Sequence, residues 1–494
     1  MNRPIFRVYL VVLLLFVPIV VLTSYWSVWD AEGLESDKNN RRPLITEQQI
    51  PRGAITTSDG VLVAESVPQG GGKRPVYVRR YPQGALFGHP VGYSFVDVGR
   101  SEIESAENDL LIGEENEFAT IIDQLRDQQA EGADLTLTLD AEAQRVATQQ
   151  LEAAVSANSG AFPKAGGAVV AIEPATGAVR VMASYPGFDP NLAQDDEALA
   201  EINTAENSPI VNRPTQAEGY PPGSTMKVVT AAAGIDSGTI DADTVINSDS
   251  PKQISGFPLQ NFGDADFGEI DAIAALTNSV NTYWAQVGER IGSEQYYEYM
   301  ERFGFNSDPE LDFPDGAMTP SGVIDLDTGG VRDAGDAVDI GRVAIGQGDL
   351  SATPLQMALV AATIANEGTL MKPTFLQEAK DPDGRTIEEL DPDEQEQVVS
   401  EETAEQVKEM MVNVTEDGTA SGLSVGGVQF AGKTGTAELD VEAGVNQPWF
   451  IGFAPADDPQ IAVAATIERC QGCTGGEVAG PIATAVMESL LAGG

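Results

Sequence analysis

The chain has 494 residues, and its 28 Lys and Arg against 76 Asp and Glu give a formal net charge of −48. This balance argues against a nucleic-acid partner, because binding phosphates requires a basic surface. Apolar residues make up 42% of the chain, which is enough to build folded cores. The single histidine, His89, and the two cysteines, Cys470 and Cys473, leave too few ligands for a zinc or iron–sulfur enzyme, so we expect no metal and no cofactor.

Residues 8–29 form an uncharged apolar segment that predicts a membrane anchor. At ~1.5 Å per residue, a helix of this length crosses a hydrocarbon layer of ~30 Å. Arg3 and Arg7 precede the segment and acidic residues follow it, so the positive-inside rule places residues 1–7 in the cytoplasm. We expect a single-pass protein of the plasma membrane with the rest of the chain outside the cytoplasm. A cleaved signal peptide is the alternative, although no clear cleavage site follows the segment.

Residues 30–158 make up the predicted N-terminal domain. A polar stretch leads to two short strands around the turn at Asp59-Gly60, which is a hairpin signal. A further strand begins at Asp134, and Asp140 caps a helix predicted over residues 141–155.

Residues 159–494 show a different pattern, which we interpret as a second domain. A hairpin over residues 166–185 comes first, and three strand-like runs at 428–439, 448–456 and 461–469 come near the end. Helices are predicted at 224–236, 268–291, 292–303, 353–366, 400–414 and 480–491. Because hairpin-linked strands pair antiparallel, this order predicts a mostly antiparallel sheet flanked by helices, within an α/β (α+β) architecture.

Cys470 and Cys473 could close a tight loop near the C-terminus. Disulfides are permitted outside the membrane, so we expect a small local disulfide. Two free thiols are the alternative, and neither state changes the function that the rest of the sequence indicates.

Lys227 is the one lysine of the chain with a serine three residues before it, Ser224. Pro-Pro-Gly at 221–223 does not fit inside a helix, so we expect a helix to begin close to Ser224, with Ser224 and Lys227 one turn apart on one face. Burial among the small apolar residues that follow would lower the pKa of Lys227 and let its neutral amine act as a base. The alternative is a capping serine followed by a surface lysine.

Two further polar motifs follow in the chain. Ser279-Val280-Asn281 lies in the predicted helix, where polar residues on an exposed face are the alternative interpretation. Lys433-Thr434-Gly435-Thr436 lies on a predicted strand, where Gly435 would let a ligand backbone approach and the lysine and hydroxyls would suit a carboxylate. An exposed strand would also tolerate these residues.

Together the three motifs resemble the Ser-x-x-Lys, Ser-x-Asn and Lys-Thr-Gly set of penicillin-recognising serine acyltransferases. More specifically, the chain resembles class B penicillin-binding proteins, with the penicillin-binding-protein/β-lactamase-like fold and its antiparallel five-stranded sheet. Other segments similar to that family are Arg52–Ile55 with Asp59-Gly60, Gly166–Tyr185, Ile345–Gly348, Thr353–Ala358 and Trp449–Pro455. The resemblance implies that residues 30–158 are a small, dimerisation-like pedestal and that residues 159–494 are a transpeptidase domain.

The resemblance also implies roles for the motif residues. Ser224 would be the acylated nucleophile, Lys227 its base, and Ser279 a proton relay. Asn281 would bind the substrate amide, and Lys433, Thr434, Gly435 and Thr436 would form the strand that binds the terminal carboxylate of D-Ala–D-Ala. The implied reaction is D,D-transpeptidation between peptidoglycan stem peptides, and β-lactams would acylate Ser224.

The implied partners follow from the same resemblance. Little of the chain separates the anchor from the transpeptidase, so glycan polymerisation would belong to a SEDS-type membrane polymerase working with division or elongation proteins. Alternatives that share the motifs are a serine β-lactamase, a D,D-carboxypeptidase that uses water as acceptor, and an inactive division scaffold that kept the fold.

Overall fold

A computed structural model describes residues 2–26, 47–70, 75–113, 131–158, 165–216, 220–314, 316–333 and 338–493. The strands are β1 Ile55–Thr56, β2 Leu62–Gln69, β3 Val76–Arg80, β4 Ser94–Phe95, β5 Gly99–Arg100, β6 Asp134–Leu137, β7 Gly167–Ile172, β8 Val179–Tyr185, β9 Ile246–Asn247, β10 Lys252–Ile254, β11 Phe257–Leu259, β12 Glu269–Ile270, β13 Gly322–Val323, β14 Leu350–Ser351, β15 Thr369–Met371, β16 Leu376–Lys380, β17 Thr386–Glu389, β18 Glu394–Gln397, β19 Ala431–Asp440, β20 Val445–Ala454, β21 Ile461–Ile467 and β22 Cys470–Gln471.

The α-helices are α1 Asn2–Ser24, α2 Gly88–Val91, α3 Glu102–Ala106, α4 Asn108–Ile112, α5 Ala141–Asn158, α6 Asp196–Thr204, α7 Lys227–Asp236, α8 Ala272–Thr277, α9 Asn281–Ile291, α10 Ser293–Arg302, α11 Ile340–Val343, α12 Pro354–Ala365, α13 Glu401–Glu416 and α14 Ala479–Gly493. Short 3₁₀ turns are η1 Gly84–Phe87, η2 Pro190–Gln194, η3 Gly223–Met226 and η4 Phe262–Asp264.

The larger core is built on a sheet with the strand order β19-β20-β21-β7-β8, in which every neighbouring pair is antiparallel. The short strand β22 pairs with the beginning of β20. The predicted antiparallel five-stranded sheet is therefore confirmed, with β22 as an addition. β19 lies at one end of this order, so the strand that carries Lys433 to Thr436 is an edge strand.

Helices cover this sheet, as the strand and helix order predicts. α12 is buried along its whole length and contacts β7, β20 and β21, which agrees with its apolar character on every face. α5 and α14 contact each other and the sheet. The Gln144 side chain fixes α5 to β8, because its Nε2 donates to the Met182 carbonyl at 2.7 Å and its Oε1 accepts from the Met182 N–H at 3.0 Å.

A second sheet has the strand order β17-β16-β6-β1-β2-β3. The hairpin expected around Asp59-Gly60 is confirmed, since Ile55 pairs antiparallel with Ala64. β16 and β17 come from much later in the chain, and β16 pairs antiparallel with β6. The N-terminal sheet is therefore completed by residues 376–389. The boundary that we place at 158/159 adjoins residues 159–164, which lie outside the described residues, and it remains a proposal.

Buried charges hold the N-terminal part together. Glu104 is fully buried, and its two carboxylate oxygens accept hydrogen bonds from Arg52 Nε and Arg79 Nε, each at 2.6 Å. The Tyr81 hydroxyl donates to the same carboxylate at 3.1 Å. Burial alone would raise the pKa of Glu104, but the guanidinium groups of Arg79 and Arg52 outweigh it and hold the pKa below the usual value. Arg52 of the predicted family signature therefore belongs to a charge cluster.

α1 has the length and composition of a membrane-spanning helix, with an apolar window at Ile5–Ser24. Its large side chains are exposed, with none of that window buried in the protein. This is the character of a membrane anchor and not of a core helix. Tyr25 and Trp26 follow α1, and residues 27–29 of the predicted span lie outside the described residues.

We predict that Glu104→Gln destabilises the N-terminal part by about 3–5 kcal/mol, because two buried guanidinium groups lose their compensating charge. Denaturant unfolding of the detergent-solubilised protein measures the effect. Because folding lowers the pKa of Glu104, its contribution to stability depends on pH. The contribution is present at neutral pH and is lost as the pH falls through the folded-state pKa of Glu104.

Glu65→Gln is the matched control, since Glu65 pairs at 3.7 Å with the exposed guanidinium of Arg80. A surface pair of this kind contributes about 0–1 kcal/mol. Equal, small losses in the two variants would show that the buried cluster does not stabilise the domain.

Candidate active site

Ser224 lies in the 3₁₀ turn η3, which runs directly into α7 at Lys227. The predicted helix start is therefore confirmed, with one tighter turn before the α-helix. Gly223 has φ +55°, and a Cβ there would come within 3.0 Å of the Ala437 backbone N on β19. Glycine is needed for this backbone conformation and for the close approach of the turn to β19. The Ser224 side chain is half-buried.

A second glycine supports this turn from behind. The Gly223 N–H donates to the Gly346 carbonyl at 2.9 Å. Gly346 has φ +74°, and a Cβ there would lie 1.9 Å from the Gly223 carbonyl oxygen. The segment at 345–348, which we singled out only for its family resemblance, thus has a physical role in holding the nucleophile turn.

The Lys227 side-chain nitrogen is the centre of the hydrogen-bond network. Its Nζ lies 2.9 Å from Ser224 Oγ, 2.6 Å from the Ser279 carbonyl oxygen and 2.7 Å from Asn281 Oδ1. The side chain is fully buried. Burial, and then the nearby charge of Lys433, hold the pKa of Lys227 well below its usual value.

These contacts decide where a neutral Lys227 amine points its lone pair. The Ser279 carbonyl and Asn281 Oδ1 can only accept, so they take both N–H groups of a neutral amine. The lone pair is then left for the Ser224 hydroxyl at 2.9 Å. The geometry is that of a nucleophile with its base.

Ser279 shows where the predicted helix over 268–291 is wrong. α8 ends at Thr277, α9 begins at Asn281, and Ser279 between them has φ +57°. This left-handed conformation is rarely adopted by residues with a side chain and costs energy, as is common at functional positions. The break releases the Ser279 carbonyl from helical hydrogen bonding, so that it can accept from Lys227.

Asn281 begins α9, and both the oxygen and the nitrogen of its side-chain amide make hydrogen bonds. Its Oδ1 accepts from Lys227, and its Nδ2 donates to the Gln260 carbonyl at 3.0 Å. The next loop residue, Asn261, caps α9 from outside the helix, because its Oδ1 accepts from the Thr282 N–H at 2.9 Å. Val280, the local N-cap, makes no side-chain cap. Sequence reasoning missed Asn261, which is distant in the chain and carries no motif.

Lys433 also contacts Ser279. Its Nζ donates to Ser279 Oγ at 2.9 Å and to the Thr434 carbonyl at 2.9 Å, and Lys227 Nζ lies 3.3 Å from that hydroxyl. The Lys433 side chain is fully buried, which lowers its pKa to about 7. Two lysines therefore converge on one hydroxyl, a contact that the carboxylate role predicted from sequence does not include.

The other residues of the β19 motif lie beside this network. Thr434 is buried with its Oγ1 2.6 Å from Thr419 Oγ1, and the half-buried Thr436 accepts from the Gly475 N–H at 3.2 Å. Gly435 has a structural reason in addition to the predicted approach of a ligand backbone. A Cβ there would meet the Pro222 carbonyl oxygen at 2.9 Å, so its absence admits the nucleophile turn.

The structure thus joins five of the predicted residues by direct hydrogen bonds: Ser224, Lys227, Ser279, Asn281 and Lys433. The other three, Thr434, Gly435 and Thr436, follow Lys433 on the same strand. Among the described residues, no group of three or more His, Cys, Asp or Glu could hold a metal ion.

Two protein families match the chain. The penicillin binding protein transpeptidase domain matches residues 167–488, and the penicillin binding protein A dimerisation domain matches residues 52–135. Peptidoglycan D,D-transpeptidase PbpA of Mycolicibacterium smegmatis is 33% identical, with 99% of each chain covered. The PbpA of Mycobacterium tuberculosis is 31% identical, with 100% of each covered.

Solved structures agree with these matches. Penicillin-binding protein A from M. tuberculosis, as a ceftriaxone acyl-enzyme complex, is similar with a TM-score of 0.79 and 30% identity, covering 90% of this chain and 100% of that one. The imipenem acyl-enzyme complex of the same protein gives a TM-score of 0.78 at 29% identity with the same coverage.

The two lysines predict a bell-shaped pH dependence of acylation by fluorescent penicillin. Protonation of Lys227 removes the base, so the rate should fall on acidification. Deprotonation of Lys433, whose pKa is about 7, removes the cation at Ser279, so the rate should also fall above that pH. Lys433→Arg keeps its charge far above pH 7 and should move the alkaline limb upward.

Lys252→Arg is the control, because the hydrogen bonds of the Lys252 ammonium go to Asn247, which does not belong to the network. Its profile should match that of the unchanged protein. An alkaline limb that stays in place in Lys433→Arg would contradict the assignment to Lys433.

Proposed function

The chain belongs to the class B penicillin-binding proteins, and we propose that it is a serine-type peptidoglycan D,D-transpeptidase that acts through a Ser224 acyl-enzyme. The observation that carries this proposal is the contact of Ser224 Oγ with the buried Lys227 amine, 2.9 Å away, within a network that also includes Ser279 and Lys433.

In the first step, Ser224 Oγ attacks the carbonyl carbon of the penultimate D-Ala, and its proton passes to Lys227 Nζ. The peptide C–N bond then breaks, and the leaving D-Ala nitrogen takes a proton through the Ser279 hydroxyl, which lies within 3.3 Å of Lys227 and 2.9 Å of Lys433. The products of this step are free D-Ala and an ester on Ser224.

In the second step, an amine of a neighbouring stem peptide attacks that ester and gives up a proton to the same relay. The new amide is the cross-link, and Ser224 regains its proton. We propose that the Thr434 and Thr436 hydroxyls, supported by the Lys433 charge, bind the substrate carboxylate, and that Asn281 orients the substrate amide. The backbone N–H groups of Ser224 and Thr436 are the proposed oxyanion donors.

β-Lactams enter this scheme as acyl donors whose leaving group stays attached. Ser224 opens the ring, and the former ring nitrogen stays covalently attached to the acyl group. Because this amine does not depart, no acceptor amine takes its place. The similarity to β-lactam acyl-enzymes of penicillin-binding protein A supports this part of the proposal.

We also propose where the protein works. α1 anchors it in the plasma membrane with the N-terminus in the cytoplasm and the transpeptidase outside. The match of residues 52–135 to a dimerisation domain supports a pedestal between the two. Glycan polymerisation then belongs to a partner, for which we propose a SEDS-type membrane polymerase together with division or elongation proteins.

The main enzymatic alternatives differ in how the ester is resolved. A β-lactamase would hydrolyse the ester with a water that a carboxylate activates as general base. Within the described residues, the side chains that hydrogen-bond Lys227 are those of Ser224, Ser279 and Asn281, and none of them is a carboxylate. A D,D-carboxypeptidase would use water in place of the acceptor amine.

Ser224→Ala is expected to abolish covalent labelling by fluorescent penicillin and the formation of cross-linked peptide dimers, because the nucleophile is lost. Ser237→Ala is the control, a half-buried serine just after α7 that hydrogen-bonds Thr239. It should label and cross-link like the unchanged protein. An unchanged protein that never labels would overturn the acyl-enzyme mechanism.

The same assay separates the alternatives. Labelling that persists for hours, with dimers formed from stem peptides, supports the transpeptidase. Rapid hydrolysis of the label would favour a β-lactamase, and release of D-Ala without dimers would favour a carboxypeptidase. A Ser224→Ala variant that still complements a deletion would favour an inactive scaffold.

A further inference from the structure

The disulfide of the chain lies beside the strand that carries Thr436. Cys470 and Cys473 are bonded, which confirms the predicted local disulfide, and both are buried. Cys470 begins β22 and pairs with Asn446 at the start of β20, and the Gly472 N–H donates to the Gly444 carbonyl at 2.9 Å. The disulfide therefore closes a loop that is fixed to the hairpin between β19 and β20.

The chain leaves this loop directly towards the site. The Asn446 side chain donates from Nδ2 to the Cys473 carbonyl at 3.0 Å. Two residues later, the Gly475 N–H donates to Thr436 Oγ1 at 3.2 Å. A Cβ at Gly475 would lie 2.2 Å from the Trp449 carbonyl oxygen and 2.4 Å from that of Gly435, so this backbone lies tightly against both strands.

The Gly475 contact sets the direction of the Thr436 proton. A hydroxyl has one hydrogen to donate and can accept through its oxygen. Because Thr436 Oγ1 already accepts from Gly475, its own O–H is free to point elsewhere, towards an acceptor in the site. The proposed role of Thr436 in binding a carboxylate requires that orientation.

From these contacts we propose that the Cys470–Cys473 loop is a positioning element for the substrate carboxylate, and that opening the disulfide weakens recognition of acyl donors that carry a carboxylate. The proposal rests on the transpeptidase function proposed above. Opening occurs by exchange with a dithiol: the S–S bond breaks, each cysteine gains a proton and an electron, and the dithiol becomes a disulfide.

Global stability is a weak explanation for this cross-link. The two cysteines are three residues apart, and a cross-link over so short a loop restricts the unfolded chain less than a long one does. The position of the loop, two residues before Gly475, is the feature that connects it with Thr436.

The test compares two acyl donors on the full-length, detergent-solubilised protein: benzylpenicillin and its methyl ester, which lacks the carboxylate. Their acylation rate constants are measured before and after treatment with dithiothreitol, with thiol titration to verify that the disulfide is open. We expect the ratio of the two constants to fall roughly threefold to tenfold on reduction. This is the size expected for loss of one neutral hydrogen bond, here the bond from the Gly475 N–H to Thr436 Oγ1. The rate with the methyl ester should stay unchanged.

Three variants keep this test decisive. Cys470→Ala with Cys473→Ala should show the lower ratio with or without dithiothreitol. Thr436→Val should show the lower ratio already in the oxidised state, because the acceptor of the Gly475 N–H is gone. Reduction should not lower the ratio of this variant further. Thr434→Val is the neighbouring control, which should keep its sensitivity to reduction.

Two results would overturn the proposal: a ratio that is unchanged while the thiols are titrated as open, or equal losses for both donors, which would indicate a general loss of structure. Failure of the transpeptidase function is distinguishable from both. In that case neither donor acylates the oxidised protein at all.

Discussion

Two buried lysines share a single serine hydroxyl, and the rest of the site follows from this constraint. Lys227 Nζ and Lys433 Nζ both lie within 3.3 Å of Ser279 Oγ, and both side chains are fully buried. Burying two like charges so close together is costly, so at least one lysine must be neutral near physiological pH. The acidic residues, which outnumber the basic ones 76 to 28, do not relieve this. Within the described residues, the hydrogen-bond partners of both amines are hydroxyl, amide and carbonyl oxygens.

The fold meets that constraint by bringing three backbone segments very close together. The turn with Ser224 approaches β19 across Gly223 and Gly435, and Gly346 supports it from behind. The helix break at Ser279 leaves its carbonyl free to accept from Lys227. In a continuous helix, that carbonyl would accept a backbone hydrogen bond of the helix. Glycine is found at 223, 346 and 435 because the segments approach more closely there than side chains allow.

Sequence reasoning succeeded where the chemistry is local. Ser224 and Lys227 are one turn apart, so spacing alone predicts their contact, and the strand runs near the C-terminus predict the sheet. It failed at Ser279, because apolar residues continue at helical spacing on both sides of the break and conceal it. It also missed Asn261 and Gly475, since each acts through a contact with a residue distant in the chain and neither belongs to a motif.

The shared hydroxyl also explains why the two lysines are better treated as one titrating unit than as separate groups. Because both amines contact Ser279 Oγ, protonation of one affects protonation of the other. The apparent pKa values in the pH–rate profile of acylation therefore belong to the pair. With Lys433 cationic, its N–H donates to Ser279 Oγ, and the Ser279 hydrogen can serve the leaving amine. With Lys227 neutral, two carbonyl-type acceptors hold its N–H groups and its lone pair faces Ser224. One arrangement of two protonation states therefore prepares both the nucleophile and the leaving group.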